Sequence, residues 1–245
     1  MGRVCGVAAV VALAALGGCG MGREEAVERV REDGPISRVD VELDGGDVAI
    51  DATDGEGASG TITLRWRESA PEIVHYVEDG VLHVLGRCDP YAEPCLLDVK
   101  LSVPASAAVS VQTREGNVRV AGVRGDVDVG TGAGDFEGHD IPGSLFVESD
   151  RGGIFADGLS GMFVDARTAE GDIDLRLRER PARLVARTGD GDVSVVVPRG
   201  AYRIAADAPR GDLDVGAAVL PDPAADAVLV LETESGDVTI RATGQ

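Results

Sequence analysis

From Val109 onward, apolar residues alternate with polar ones in short runs, and each run ends near a glycine. Val118 and Val120, Ile173 and Leu175, Val193 and Val195, and Leu213 and Val215 share one parity, with polar residues between them. A second run precedes each turn: Val109 and Val111, Val127 and Val129, Leu145 and Val147, Val164 and Ala166, Leu229 and Leu231. A period of two predicts strands with one buried face. The turns repeat as well. Thr113-Arg114-Glu115-Gly116-Asn117-Val118 has counterparts at Thr131 to Phe136, Ser149 to Ile154, Thr168 to Ile173, Thr188 to Val193, Ala208 to Leu213 and Thr233 to Val238. The closing apolar residue recurs at 118, 136, 154, 173, 193, 213 and 238, in steps of 18, 18, 19, 20, 20 and 25.

Two strands and two turns in so short a unit cannot bury a face alone, but stacked coils can. The pattern therefore predicts an all-β fold, a β-solenoid of the single-stranded, right-handed β-helix kind. Equivalent residues would lie ~4.8 Å apart, the strand spacing, and the right hand follows from the chirality of parallel crossovers. Glycine supplies the backbone conformation that each tight turn demands.

Residues 36–104 are strand-rich but less regular, and 105–243 hold the repeats. Val39, Val41 and Leu43 alternate into Asp44-Gly45-Gly46-Asp47, and Val48 and Ile50 follow. Ile62, Leu64 and Trp66 share a face, which makes Trp66 a core residue, and Tyr76 to Leu82 reads as a hairpin around Asp79-Gly80.

The first residues have another purpose. Arg3 precedes an apolar run from Val7 to Leu16, long enough for an export signal and too short to span a bilayer. The run ends in Leu16-Gly17-Gly18-Cys19, which resembles a bacterial lipobox. Residues 1–18 are thus expected to be a lipoprotein signal peptide, and Cys19 the lipidated anchor, with ordinary cleavage near Ala14 as the alternative. Each buried CH₂ contributes ~0.8 kcal/mol, so more than one acyl chain gives stable attachment. Gly20 rather than Asp after the cysteine resembles the sorting rule for an outer-membrane destination. Residues 19–35, rich in Glu and Arg, read as a tether in which Glu24 to Glu32 is at most a marginal helix. Export leaves Cys88 and Cys95 as a pair, expected to form a disulfide. A zinc site from His75, His83, Cys88 and Cys95 matches no zinc spacing.

Charge narrows the partners. The chain has 23 basic and 43 acidic residues, a net charge of −20, which repels a phosphate backbone and excludes nucleic acid as a partner. Aromatics are only 3%, so Val, Leu, Ile and Ala must fill the core.

Leu101-Ser102-Val103-Pro104 leading into Val109-Ser110-Val111-Gln112-Thr113, followed by the Thr-x-x-Gly-Asp-Val units, resembles the bacterial "putative adhesin" β-repeat family, also described as toastrack-like. The resemblance spans about 36–243. It implies a β-solenoid on an exported or membrane-attached protein, and it brings no catalytic residues and no cofactor.

Three groups of residues are candidate sites. Asp135, Asp172, Asp192, Asp212 and Asp237, with Asn117 and Gly153, occupy one position after the turn glycine. Stacked carboxylates ~4.8 Å apart repel by about 0.9 kcal/mol even at water's dielectric constant. Turn N–H groups are the expected offset. Calcium on Asp172, Asp192, Asp212 and Asp237 is the weaker reading, prompted by Gly116, Gly125, Gly134 and Gly143 lying nine apart. Phe146, Phe155 and Phe163 all point outward by parity. They form either a patch for a protein or glycan or, as favoured here, rings covered by another layer. His139-Asp140 lies in a loop with no nucleophile motif beside it. The function expected is non-catalytic: a cell-envelope lipoprotein on the outer membrane or cell surface, presenting a rigid solenoid for adhesion, envelope structure or partner binding. An envelope-stress sensory module and a glycan-active enzyme are the alternatives.

Overall fold

The computed structural model describes residues 23–92 and 95–244. The export signal and Cys19 lie outside them. All regular structure among the described residues is β. The N-terminal strands are β1 (Glu24–Glu32), β2 (Arg38–Leu43), β3 (Val48–Thr53), β4 (Ala58–Trp66), β5 (Glu72–Glu78), β6 (Val81–Arg87) and β7 (Leu96–Pro104). The central ones are β8 (Ala108–Glu115), β9 (Val118–Ala121), β10 (Val127–Ala133), β11 (Phe136–His139), β12 (Leu145–Arg151), β13 (Ile154–Leu159), β14 (Phe163–Glu170) and β15 (Ile173–Leu177). Last come β16 (Arg183–Asp190), β17 (Val193–Val197), β18 (Gly200–Asp207), β19 (Leu213–Val215), β20 (Val219–Pro221), β21 (Val228–Ser235) and β22 (Val238–Ala242).

The strands form two 11-stranded sheets, A and B, and from β6 to β20 successive strands alternate between them. Sheet A runs β1-β4-β7-β3-β9-β11-β13-β15-β17-β22-β19, and sheet B runs β20-β18-β21-β16-β14-β12-β10-β8-β2-β6-β5. One strand from each makes a rung of a solenoid-like stack. Val118, Phe136, Ile154, Ile173, Val193 and Val238 lie over one another in sheet A and are almost fully buried. Val109, Val127, Leu145, Val164, Leu184 and Leu229 do the same in sheet B. Columns of aliphatic side chains meet between the sheets as one dry core. The single aromatic in the sheet A column is accommodated locally: a Cβ at Gly138 would strike the Phe136 ring, so that glycine makes room for it.

The rungs do not stack in chain order at either end. β21 and β22 insert between the β16/β17 rung and the β18/β19 rung, so Val238, not Leu213, lies over Val193. The expected direct contact of Val193 with Leu213 is corrected accordingly. Leu213 occupies the last rung and is 50% exposed. At the other end, β2 and β3 insert between the β6/β7 rung and the β8/β9 rung. The irregular strands of 36–104 thus join the same two sheets as the repeats.

The expected tether is also corrected. Glu24–Glu32 is a strand, not a helix, and pairs antiparallel with β4 along its whole length. Ala26, Glu28, Val30 and Glu32 face inward with period two, and Val30 is buried. Glu28 and Glu32 on the inward parity and Val27 on the outward one hide this alternation in the sequence. The Asp79-Gly80 hairpin forms as expected between β5 and β6, with both turn residues at positive φ. The disulfide Cys88–Cys95 is present, with Cα atoms 5.8 Å apart, which takes both thiolates away from a zinc set.

Rung order makes a testable difference. Leu175→Ala, in a middle rung, is expected to cost about 2–5 kcal/mol in chemical denaturation, and Leu213→Ala under about 1 kcal/mol. Equal losses would contradict the terminal placement of Leu213.

Candidate functional site

The turn between the sheet B strand and the sheet A strand is built from three stacked columns. Gly46, Gly116, Gly134, Gly152, Gly171, Gly191 and Gly236 all have positive φ. A Cβ at Gly134 would overlap the Gly116 carbonyl oxygen, and one at Gly171 the Gly152 oxygen. Backbone conformation and rung-to-rung approach therefore both demand glycine. Just before it lies a buried hydroxyl. Thr131, Ser149, Thr168, Thr188 and Thr233 each donate to the glycine carbonyl one rung back, from 2.8 to 3.5 Å. That role was not anticipated, although the recurring Thr was visible.

The aspartates come next. The Asn117 N–H donates to Asp47 Oδ1, Asp135 N–H to Asn117 Oδ1, and Gly153 N–H to Asp135 Oδ1. After Gly153, which has no side chain to continue the series, Asp192 N–H donates to Asp172, Asp237 N–H to Asp192, and Asp212 N–H to Asp237, each at 2.8 Å. Carboxylates stacked at strand spacing are held by backbone donors from the neighbouring rung. Such charge-assisted bonds contribute about 1.5–3 kcal/mol each, against about 0.9 kcal/mol of repulsion per pair. The nine-residue glycine spacing has an equally structural origin. Gly125, Gly143 and Gly161 form a second close-packed column at the other turn of the coil. Two alternating columns halve the repeat.

Replacing Asp192 separates these contributions. Asp192→Ala is expected to destabilise by about 1–2 kcal/mol. Asp192→Asn should stay within about 0.5 kcal/mol of the native protein, since Asn117 already fills the same position. Denaturant midpoints measure both, and equal losses would show that the acceptor is not what matters.

The aromatic residues do not form one patch. Phe146 and Phe163 stand on the outer face of sheet B, in neighbouring strands, with Phe146 beside Asp165 and Phe163 two residues before it. They are 43% and 48% exposed, and the adjoining Met162 is 63% exposed. The expected cover is absent among the described residues. Phe155 lies on β13 in sheet A, on the opposite side of the stack. The parity argument placed all three outward, but it did not show that consecutive strands serve opposite sheets.

Around Phe155 the outer face of sheet A carries a charged cluster. His139 Nδ1 is 3.1 Å from Asp157 and Nε2 is 2.9 Å from Glu137. Its ring lies 5.8 Å from that of Phe155, and Arg176 covers the other ring at 5.4 Å while pairing with Asp174. Burial raises the Asp174 carboxyl, opposed by Arg176. For His139, burial works against the charged form, but hydrogen bonds to Asp157 and Glu137 and their charges outweigh it and lift the ring above its usual 6.5. A histidine between two carboxylates can hold a proton. Here it sits on an open sheet face, not in a cleft. The two histidines of the disfavoured zinc set are engaged otherwise: His75 pairs with Glu28 at 2.9 Å, and His83 stacks on Tyr76 at 4.8 Å.

The raised His139 value has a sign that can be tested. Its contribution to stability is fully present below about pH 6.5 and is lost as pH rises through the folded value. The melting temperature should therefore fall more steeply between about pH 6 and 8 in the native chain than in His139→Gln. Parallel profiles would remove His139 from the pH response.

The two sheets of stacked Gly-Asp rungs around a packed interior define a toastrack-like, solenoid-like all-β fold. The model of the Toastrack DUF4097 family matches residues 96–244, and the chain belongs to that family. Among solved structures, it is similar to a "putative adhesin" from Bacteroides fragilis at 15% identity and a TM-score of 0.51, covering 88% of this chain and 96% of that one. It is also similar to a "putative adhesin" from Parabacteroides distasonis at 10% identity and a TM-score of 0.49, covering 88% and 97%. A third likeness is to a "putative cell adhesion protein" from Clostridium sporogenes, at 12% identity, a TM-score of 0.42, and 91% and 100% coverage. A search among curated proteins returns no match.

Proposed function

We propose that this chain is a non-catalytic cell-envelope lipoprotein whose stack is a rigid display surface, with the outer face of sheet B as its adhesive side. The observation that carries this reading is the exposed trio Phe146, Met162 and Phe163, which stands beside the Asp165–Arg167 ion pair on that face. Exposed aromatics on a stiff sheet are the features of a protein or glycan contact. The chemistry-bearing residues of the turns point the same way. The turn aspartates and threonines are engaged in rung-to-rung bonds. We take the coils to wind right-handedly, following the rule for parallel crossovers, and Cys19 to carry the acyl anchor.

With β1 beginning at Glu24, four residues lie between it and Cys19 in the sequence. Fully extended they reach about 14 Å, which would hold that end of the stack close to the membrane surface. Two measurements test the reading. Metabolic labelling with an alkyne fatty acid should mark the native chain and not Cys19→Ser. A photo-crosslinking amino acid at 146 or 163 should capture a discrete partner on cells, whereas one at 155 should not. Equal capture from all three positions would remove the sheet B face from the proposal.

A further inference from the structure

The two ends of the stack differ. At the end near β1, sheet A is covered by antiparallel β4 and β1, and sheet B by antiparallel β5. At the opposite end, β19 pairs only with β22, and Arg203 to Asp207 of β18 pair only with β21. The sheet A bonds show what is missing. Val193 N–H donates to the Asp237 carbonyl, and Val238 N–H donates to the Asp212 carbonyl. The equivalent N–H in the last rung belongs to Leu213 and points away from the stack, as does that of Val215.

The side chains there are bared as well. Leu213 is half exposed, and Ile204, Ala206 and Val215 are only partly buried. Asp212 ends the carboxylate ladder with no rung beyond it to donate. This end thus offers backbone groups, aliphatic side chains and a carboxylate acceptor in the arrangement that every internal rung buries against its neighbour.

We propose that this open end binds the same end of a second copy of the chain. The last rungs would pair antiparallel about a two-fold axis perpendicular to the stack. An unpaired parallel edge needs a strand as partner. The far-end edge of sheet A, β1, is guarded by charge at Glu24, Glu25, Glu28, Arg29, Arg31 and Glu32, which disfavours head-to-tail growth, and pairing of like ends closes as a dimer. At this end Arg203, Arg210 and Arg241 offset part of the charge of Asp207, Asp212, Asp214, Asp222 and Asp226, within a chain whose net charge is −20. Elsewhere on so acidic a surface a second copy would be repelled.

The test is sedimentation velocity of the full chain carrying Cys19→Ser, so that acyl chains contribute nothing. A concentration-dependent monomer–dimer equilibrium is expected. Leu213→Arg and, separately, Val215→Lys should each weaken it at least about tenfold with unchanged far-UV circular dichroism. Phe146→Ser, on the sheet B face, should leave the equilibrium as it is. A chain monomeric at every concentration, a dimer indifferent to both edge variants, or open-ended oligomers would each overturn the proposal.

Discussion

Everything in this molecule depends on how closely successive turns approach. At each rung the backbone passes so near the one below that a Cβ on the turn glycine would fall on the neighbouring carbonyl oxygen. Once that approach is enforced, the adjacent positions have little choice. The residue three places earlier must satisfy the same carbonyl, which Thr or Ser does with a short hydroxyl. The residue after the glycine must accept an N–H from the next rung, which Asp or Asn does. The Thr-x-x-Gly-Asp-Val motif is therefore one packing constraint written in three residue types. Gly153 shows the limit: the ladder is broken there, yet Gly153 still donates to Asp135.

The same stacking manages a large negative charge. Carboxylates in the ladder have backbone donors, and others are held by arginines within a strand or across neighbouring ones, as in Arg167–Asp165, Arg176–Asp174 and Arg119–Asp51. Exposed pairs of this kind contribute little each, about 0–1 kcal/mol. They distribute charge over both outer faces instead of bracing the fold. Against that background the grouped Phe146, Met162 and Phe163 are a departure in mid-sheet, and it is why the proposed contact lies on sheet B and not around the self-satisfied His139 cluster.

The repeat was legible in the sequence because its causes are local: turn chemistry within six residues and alternation within five. The core columns through Ile173 and Val193 follow directly. What failed was non-local. No residue near Leu213 announces that the strand from Val238 will slip in beneath it. That threading depends on the loop of 222–227 crossing back over a rung already laid. Glu24–Glu32 was hidden for a different reason. Its inward residues are small or charged, Ala26 and Glu28 among them, and Glu28 is usable only because His75 on the other sheet meets it. The three phenylalanines were placed outward, but the side each faces follows from the coil path.

Swapped rung order at both ends has a mechanical consequence. In a solenoid threaded in chain order, the first and last rungs are the chain ends, and the stack can fray from them one rung at a time. Here the C-terminal strands β21 and β22 are clamped on both sides, by β16/β17 and by β18/β19. β2 and β3 are clamped likewise at the other end. Peeling the β18/β19 rung therefore means opening an internal chain segment held at both its ends. Such a loop gains less entropy on release than a free terminus does. The clamp also delays completion: the last rung cannot settle until residues up to 45 positions apart have paired, as Asp237 does with Asp192. Long-range pairing of this kind slows folding. The resulting stack is bound more firmly at its β18/β19 end than its repeat alone would make it.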